Sequence, residues 1–185
     1  SDGVSGGSDR DPAGIARQER FVQRMLPLAQ DAARQLGVAP ETIVAHAALE
    51  TGWGRSMPTS TDGTPSFNLF GVKAAADGPA VASRTIEFEQ GSAVTRVERF
   101  RAYATPQDGI QDYVNLLAGS ARYAGALGQG GDAAAFARAL QQGGYATDPR
   151  YADKLTAVAA RVSALIDAGL KGGNPRPIEG VQATG

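Results

Sequence analysis

The sequence has no cysteine and a single histidine, which excludes disulfides, thiol nucleophiles, thiolate zinc sites and any site built from several histidines. Neither sign of charge is in excess. Eighteen Lys and Arg stand against nineteen Asp and Glu, so no basic stripe is available to hold a phosphate backbone, and nucleic acid is not expected as a partner. No run approaches the roughly eighteen apolar residues of a membrane span, and the N-terminal stretch lacks the basic-then-apolar order of a secretion signal, so membrane insertion is not expected. What remains is 185 residues, 42% hydrophobic and 20% charged, the balance of one soluble globular domain. Its chemistry is left to carboxylates, hydroxyls and amides, and no metal or cofactor is implied.

Residues 1–14 are rich in Gly, Ser and Asp and read as a flexible linker. Residues 15–171 read as the folded domain and residues 172–185, rich in Gly and Pro, as a flexible tail. Phe21, Met25, Leu26, Ala29, Ala33 and Leu36 recur at helical spacing up to Gly37. Pro40 opens a second helix with Ile43, Val44, Ala47 and Ala48 as its apolar stripe and Gly52 as its stop. An irregular stretch rich in Ser, Thr, Pro and Gly then runs from Gly54 to Gly78, the kind of long loop that carries function. Arg84 to Glu89 alternates, Gln90-Gly91-Ser92 gives a turn, and a return strand over about Val94–Tyr103 closes a hairpin. On the expectation that Ile86 and Phe88 face the core, Glu87 and Glu89 share the opposite face. Thr105-Pro106, Asp132 and Asp148-Pro149 start three more helices. The fold class expected is α+β, mainly helical, with one hairpin.

Splitting a glycosidic bond needs a carboxylic acid that is still protonated near neutral pH. Glu50 lies in the last turn of the second helix, where backbone carbonyls present partial negative charge, and Leu49 and Trp53 flank it; both effects raise a carboxyl pKa. A solvated glutamate at a helix end is the plainer reading of position alone. A second carboxylate would come from the hairpin, and the pattern does not separate Glu87 from Glu89. A carboxylate separation of about 5 Å would mean retention and about 8 Å inversion, and an acetamido group offers a third, substrate-assisted route. His46, four residues before Glu50, is on the same helical face and is either a packed side chain or a proton shuttle. Asn68 and Lys73 could bond a sugar amide, or Asn68 could fix its loop. Tyr145 and Trp53 could stack on a sugar or plug the core.

Four segments occur in one order: His46-Ala47-Ala48-Leu49-Glu50-Thr51-Gly52-Trp53-Gly54, Phe67-Asn68-Leu69-Phe70-Gly71-Val72-Lys73, Thr85-Ile86-Glu87-Phe88 and Gly144-Tyr145-Ala146-Thr147-Asp148-Pro149-Arg150-Tyr151. With Phe100-Arg101-Ala102-Tyr103 and Asp112-Tyr113-Val114 between them, the chain resembles glycoside hydrolase family 73 from about Ile15 to Leu170, and within it the catalytic domain of flagellar peptidoglycan hydrolases. The resemblance implies a lysozyme-like fold with a small β-hairpin lobe and β-N-acetylglucosaminidase action on peptidoglycan glycan strands. It implies Glu50 as general acid, Glu87 as second carboxylate and Tyr145 beside the acid, with Trp53, Asn68, Phe70, Glu89 and Tyr151 as sugar contacts. It further implies a periplasmic location reached by flagellar export and contact with flagellar rod proteins through an N-terminal domain outside this chain. A lytic transglycosylase, which needs one glutamate only, and a non-catalytic wall-binding module are the rival expectations.

Overall fold

A computed structural model describes the backbone of residues 10–172 and side chains as far as residue 169. The expected linker and tail therefore fall mostly outside the described residues. The first helix, α1 (Pro12–Leu36), begins three residues ahead of the expected domain start. Asp11 caps it by accepting the Gly14 N–H at 2.7 Å, Pro12 fills the first turn, and Gly37 ends it in a left-handed conformation.

The second helix, α2 (Pro40–Thr51), is the centre of the molecule. The expected stripe of Ile43, Val44, Ala47 and Ala48 is too narrow: Thr42, Ala45, His46 and Thr51 are buried as well. A helix apolar all round has no surface face, and α2 packs between α1 and α5. Gly52 at φ 55°, Trp53 at φ 59° and Gly54 at φ 87° follow it. Three left-handed residues in succession stop the helix and reverse the chain, and holding the non-glycine Trp53 there costs about 1 kcal/mol. That strain is offset by burying the indole edge-on against Phe21, with ring centroids 6.0 Å apart.

Strands β1 (Ala80–Glu89) and β2 (Ser92–Arg101) pair antiparallel, with Ala80 opposite Arg101 and Glu89 opposite Ser92. Gln90 and Gly91 both have positive φ, 51° and 80°, which gives the two-residue turn whose twist matches a hairpin. The strands start earlier than the alternation predicts, because Ala80–Ser83 carries no two-residue period. The facing departs from the expectation at Ile86, which is 65% exposed, as its neighbour Val97 is 69%, while Thr85 and Glu87 are half-buried; Phe88, expected inward, is half-buried too, and Glu89 is exposed. Alternation tells which residues share a face, not which face meets protein. Most of this ribbon has no helix under it, and only its base is buried, through Val81 and Phe100.

The chain then forms α3 (Pro106–Gly119), capped by Thr105, a 3-10 helix over Ala121–Ala126 that carries no clear sequence signal, α4 (Ala133–Gln142), capped by Asp132, and α5 (Tyr151–Gly172). No helix among the described residues is long and apolar enough to cross a membrane. The core joins Phe21, Met25, Leu36, Ile43, Val44, Phe70, Tyr113, Leu117, Phe136, Leu140, Leu155 and Val162 into one cluster. The mainly helical α+β architecture is the one expected.

Candidate active site

Burial of α2 on all sides leaves its last turn as the place where its chemistry can reach a surface. The Glu50 side chain is 19% exposed, and desolvation pushes its carboxyl up to about 7 from an ordinary 4.5; the Tyr151 hydrogen bond pulls the other way and the charge of Glu87 adds to the rise. The desolvating groups are not those expected. Trp53 turns away, onto Phe21 and into a cavity of about 530 Å³ between the start of α1 and α5. The cover over Glu50 comes from Tyr151, which donates a 2.6 Å hydrogen bond to Oε1, and from the backbone of Gly71. A Cβ on Gly71 would stand 2.5 Å from Glu50 Oε2, and Gly71 is at φ 65°, so both space and conformation require glycine there.

The loop bearing Gly71 is fixed by Asn68, which is 1% exposed. Its Nδ2 donates to the Val72 and Arg101 carbonyls at 2.8 and 2.9 Å, and its Oδ1 accepts the Val72 N–H at 3.0 Å. No donor is left for a sugar, so the expected sugar contact is corrected to a loop-fixing group. Phe70 is likewise corrected: it is buried and stacked on Tyr113 at 3.7 Å and 6°. Trp53, buried as described, is a core anchor and not a platform. Tyr145 donates to the Phe70 carbonyl, stacks on Tyr151, and lies 4.7 Å from the His46 ring. It holds the residue before Gly71 beneath the acid. Tyr151, also expected on the sugar, is buried and bonded to the acid instead.

Glu87 faces this site from the hairpin. Its side chain is 15% exposed. Desolvation alone would raise its pKa, yet the Thr147 hydroxyl at 2.6 Å and the Lys73 ammonium at 2.9 Å together hold it below the usual carboxylate value. Thr147 also accepts the Phe88 N–H at 2.9 Å, so the hairpin tip is latched to the segment before α5. Lys73 is thus a partner of Glu87, and of Glu98 at 3.9 Å, before it is a sugar ligand. Glu89 shares the face but not the setting: it is 49% exposed and paired with Arg96. Position along one strand face, invisible in the alternation, separates the two glutamates.

The result is a pair of carboxylates in opposite states, one protonated near neutrality and one ionised, close enough for the charge of Glu87 to act on Glu50. Such splitting is how one site supplies an acid and a base at the same pH. The residues that sequence reasoning missed are Gly71, Thr147 and the hydroxyls of Tyr113 and Tyr151 as polar partners. Each lies within a stretch that carries the resemblance, Gly71 in the second segment, Tyr113 beside Asp112, and Thr147 and Tyr151 in the fourth segment, but nothing in those stretches marks which atom each would meet.

The chain is 42% identical to the Peptidoglycan hydrolase FlgJ of Pseudomonas aeruginosa over 150 residues, covering 80% of this chain and 38% of that protein, so it spans well under half of that relative's length. A crystal structure of a peptidoglycan hydrolase mutant from Sphingomonas sp. A1 superposes with a TM-score of 0.76 at 49% identity, over 81% of this chain and 99% of that one. The C-terminally truncated glycoside hydrolase domain of Salmonella typhimurium FlgJ gives 0.65 at 41%, over 80% and 98%. The sequence model for mannosyl-glycoprotein endo-beta-N-acetylglucosaminidase matches residues 26–164. That span runs from α1 into α5 and takes in both carboxylates, the Gly71 loop and the Tyr145–Tyr151 segment, and the chain belongs to this glucosaminidase family.

Proposed function

We propose that this domain hydrolyses the β-1,4 glycosidic bonds of peptidoglycan glycan strands as an N-acetylglucosaminidase. The observation that carries the reading is the Glu50 carboxyl, held protonated up to about pH 7 by burial, opposite a Glu87 kept ionised by Lys73 and Thr147. Glu50 gives its proton to the leaving oxygen. Glu87 supplies negative charge on the other side, as base toward water or as a stabiliser of the positive sugar ring in the transition state. Tyr145 and Asn68 act through the loop that seats the acid, and Glu89 is the remaining side chain on the hairpin face available to the sugar.

Digestion of purified sacculi followed by borohydride reduction and mass spectrometry tests the bond specificity. New reduced glucosamine ends are expected; muramic or anhydromuramic ends would overturn the reading in favour of a muramidase or a lytic transglycosylase. Glu87→Gln separates the mechanisms further. A loss of about 100-fold is expected if the second carboxylate takes part, whereas activity within a few-fold of wild type fits the one-glutamate transglycosylase. With Glu50 as acid and Glu87 as base, activity is lost as pH rises through about 7 and as it falls below the lowered Glu87 value. The resemblance of the four segments supports a periplasmic site of action at the wall around a growing flagellar rod, with rod proteins as partners. Fractionation of flagellated cells and co-purification with rod proteins test that placement.

A further inference from the structure

Behind Glu50 lies a buried polar row that the proposed reaction does not yet use. His46, fully buried, has both ring nitrogens engaged: Nδ1 is 2.7 Å from the Tyr113 hydroxyl and Nε2 is 2.6 Å from the Tyr151 hydroxyl, which is itself 2.6 Å from Glu50 Oε1. A neutral imidazole carries one hydrogen, and each phenol carries one. Only two orderings of three hydrogens fit the row. In the first, Tyr113 donates to Nδ1, Nε2–H donates to Tyr151, and Tyr151 donates to Glu50. In the second every arrow reverses, so that a protonated Glu50 donates to Tyr151 and Nδ1–H donates to Tyr113.

The reversed order has a cost that the first lacks. His46 is the only hydrogen-bond partner of the Tyr113 hydroxyl among the described residues, and Tyr113 is fully buried with its ring flat on Phe70. Reversal would leave the Tyr113 hydrogen without an acceptor in the core, a stranded donor of the kind folded proteins avoid. It would also direct the acid proton of Glu50 inward, away from any substrate. We infer that His46 is a positioning residue that fixes the direction of the row Tyr113, His46, Tyr151, Glu50, so that Oε1 is a standing acceptor and the proton delivered to the leaving oxygen rides on Oε2, over Gly71.

This inference rests on the reading of Glu50 as the general acid. Burial, which pushes the His46 ring down to about 3, keeps the imidazole neutral through the working range, as the one-hydrogen count requires. The groups that face Glu50 are His46 on its own helix, Tyr151 from α5, Tyr113 from α3, Tyr145 from the loop before α5 and Glu87 from β1 with Lys73 behind it. Among the described residues only Tyr151 donates a hydrogen bond to the carboxylate.

Two measurements test the inference. His46 is the only histidine in the sequence, so protein labelled with nitrogen-15 histidine gives one ring to follow. The expected spectrum shows hydrogen on Nε2 and a bare, hydrogen-bonded Nδ1, unchanged between pH 5 and 8; an Nδ1–H tautomer, or a ring that titrates in this range, overturns the inference. The second is the pH profile of sacculus hydrolysis. Tyr151→Phe removes the donor that favours the ionised acid, so the high-pH limb is expected to move up by about one unit. His46→Phe, similar in size, should move it up by about half a unit through a weaker Tyr151 donor, and His46→Gln, which keeps an N–H toward Tyr151, should bring the limb back. A uniform rate loss with unmoved limbs in Tyr151→Phe and His46→Phe overturns the inference and leaves a packing role. If His46→Phe does not fold, Tyr151→Phe and the wild-type spectrum decide. Glu50→Gln is the control for the underlying reading: if it stays active, the acid assignment fails while the tautomer result stands by itself.

Discussion

Glu50 is carried by a helix buried on every side, while Glu87 is carried by a two-stranded ribbon that has no core beneath most of its length. The first carboxyl is controlled by what is withheld from it: water is excluded by Tyr151, Gly71 and the helical interior, and the proton stays on. The second is controlled by what is supplied to it, a hydroxyl from Thr147 and an ammonium from Lys73, and the proton stays off. One foundation is rigid packing. The other is two polar side chains, Thr147 and Lys73, brought to the ribbon from other parts of the chain. On the proposed reading, the acid and the base each rest on the foundation that produces the protonation state required of them.

The comparison is broken most completely at Glu50. Glu50→Gln should cut hydrolysis by about a thousandfold, and because it removes a charge that the folded state holds at a cost, it should also stabilise the protein at pH 8 by up to about 3 kcal/mol. The sign follows from the pKa. The unfolded carboxyl ionises near 4.5 and the folded one near 7, so the wild type loses stability as pH rises between those values and the variant does not. Thermal melts at pH 4 and pH 8 check this, with a difference expected only at the higher pH. Gly71→Ala should follow, losing about 100-fold in rate, since a methyl cannot share space with Oε2 and a displacement of about 1 Å at the acid is enough. Its melting temperature should fall only modestly, reflecting about 1 kcal/mol for a left-handed alanine.

How much of this contrast is written in the sequence depends on range. Gly37, Pro40 and Gly52 bracket α2, Thr105 and Asp132 cap the next helices, and each acts within four residues, so the helical frame and the position of Glu50 at a helix end are legible. Tyr151 meets Glu50 across 101 positions and Tyr113 meets His46 across 67. No local period encodes such contacts, and the sugar-contact role expected for Tyr151 gave way for that reason. Ile86 misled in another way. Its alternation with Glu87 is real, but the apolar member faces solvent because the ribbon stands off the body, and the polar member is the one with neighbours.

Smaller changes sharpen the hairpin side. Thr147→Val removes the hydroxyl that bonds both Glu87 and the Phe88 N–H; a loss of about threefold to tenfold is expected, and the low-pH limb should move upward because the ionised form of Glu87 loses a donor. Lys73→Met should move the same limb in the same direction. The double change Ile86→Thr with Val97→Thr, on the exposed face of the ribbon, should leave activity unaltered and stability within about 0.5 kcal/mol, as read by urea melts. A large loss there would mean that the outer face is covered in the working protein.

The three backbone bonds of Asn68 also bear on how the protein ages. Asparagine side chains slowly lose their amide nitrogen in water, and here that nitrogen is what the Val72 and Arg101 carbonyls share. The aspartate left behind would aim negative oxygen at two carbonyl oxygens in a buried pocket, and the loop that places Gly71 against the acid would spring from its seat. A gain of one mass unit at a single buried position would thus record the chemical lifetime of the site.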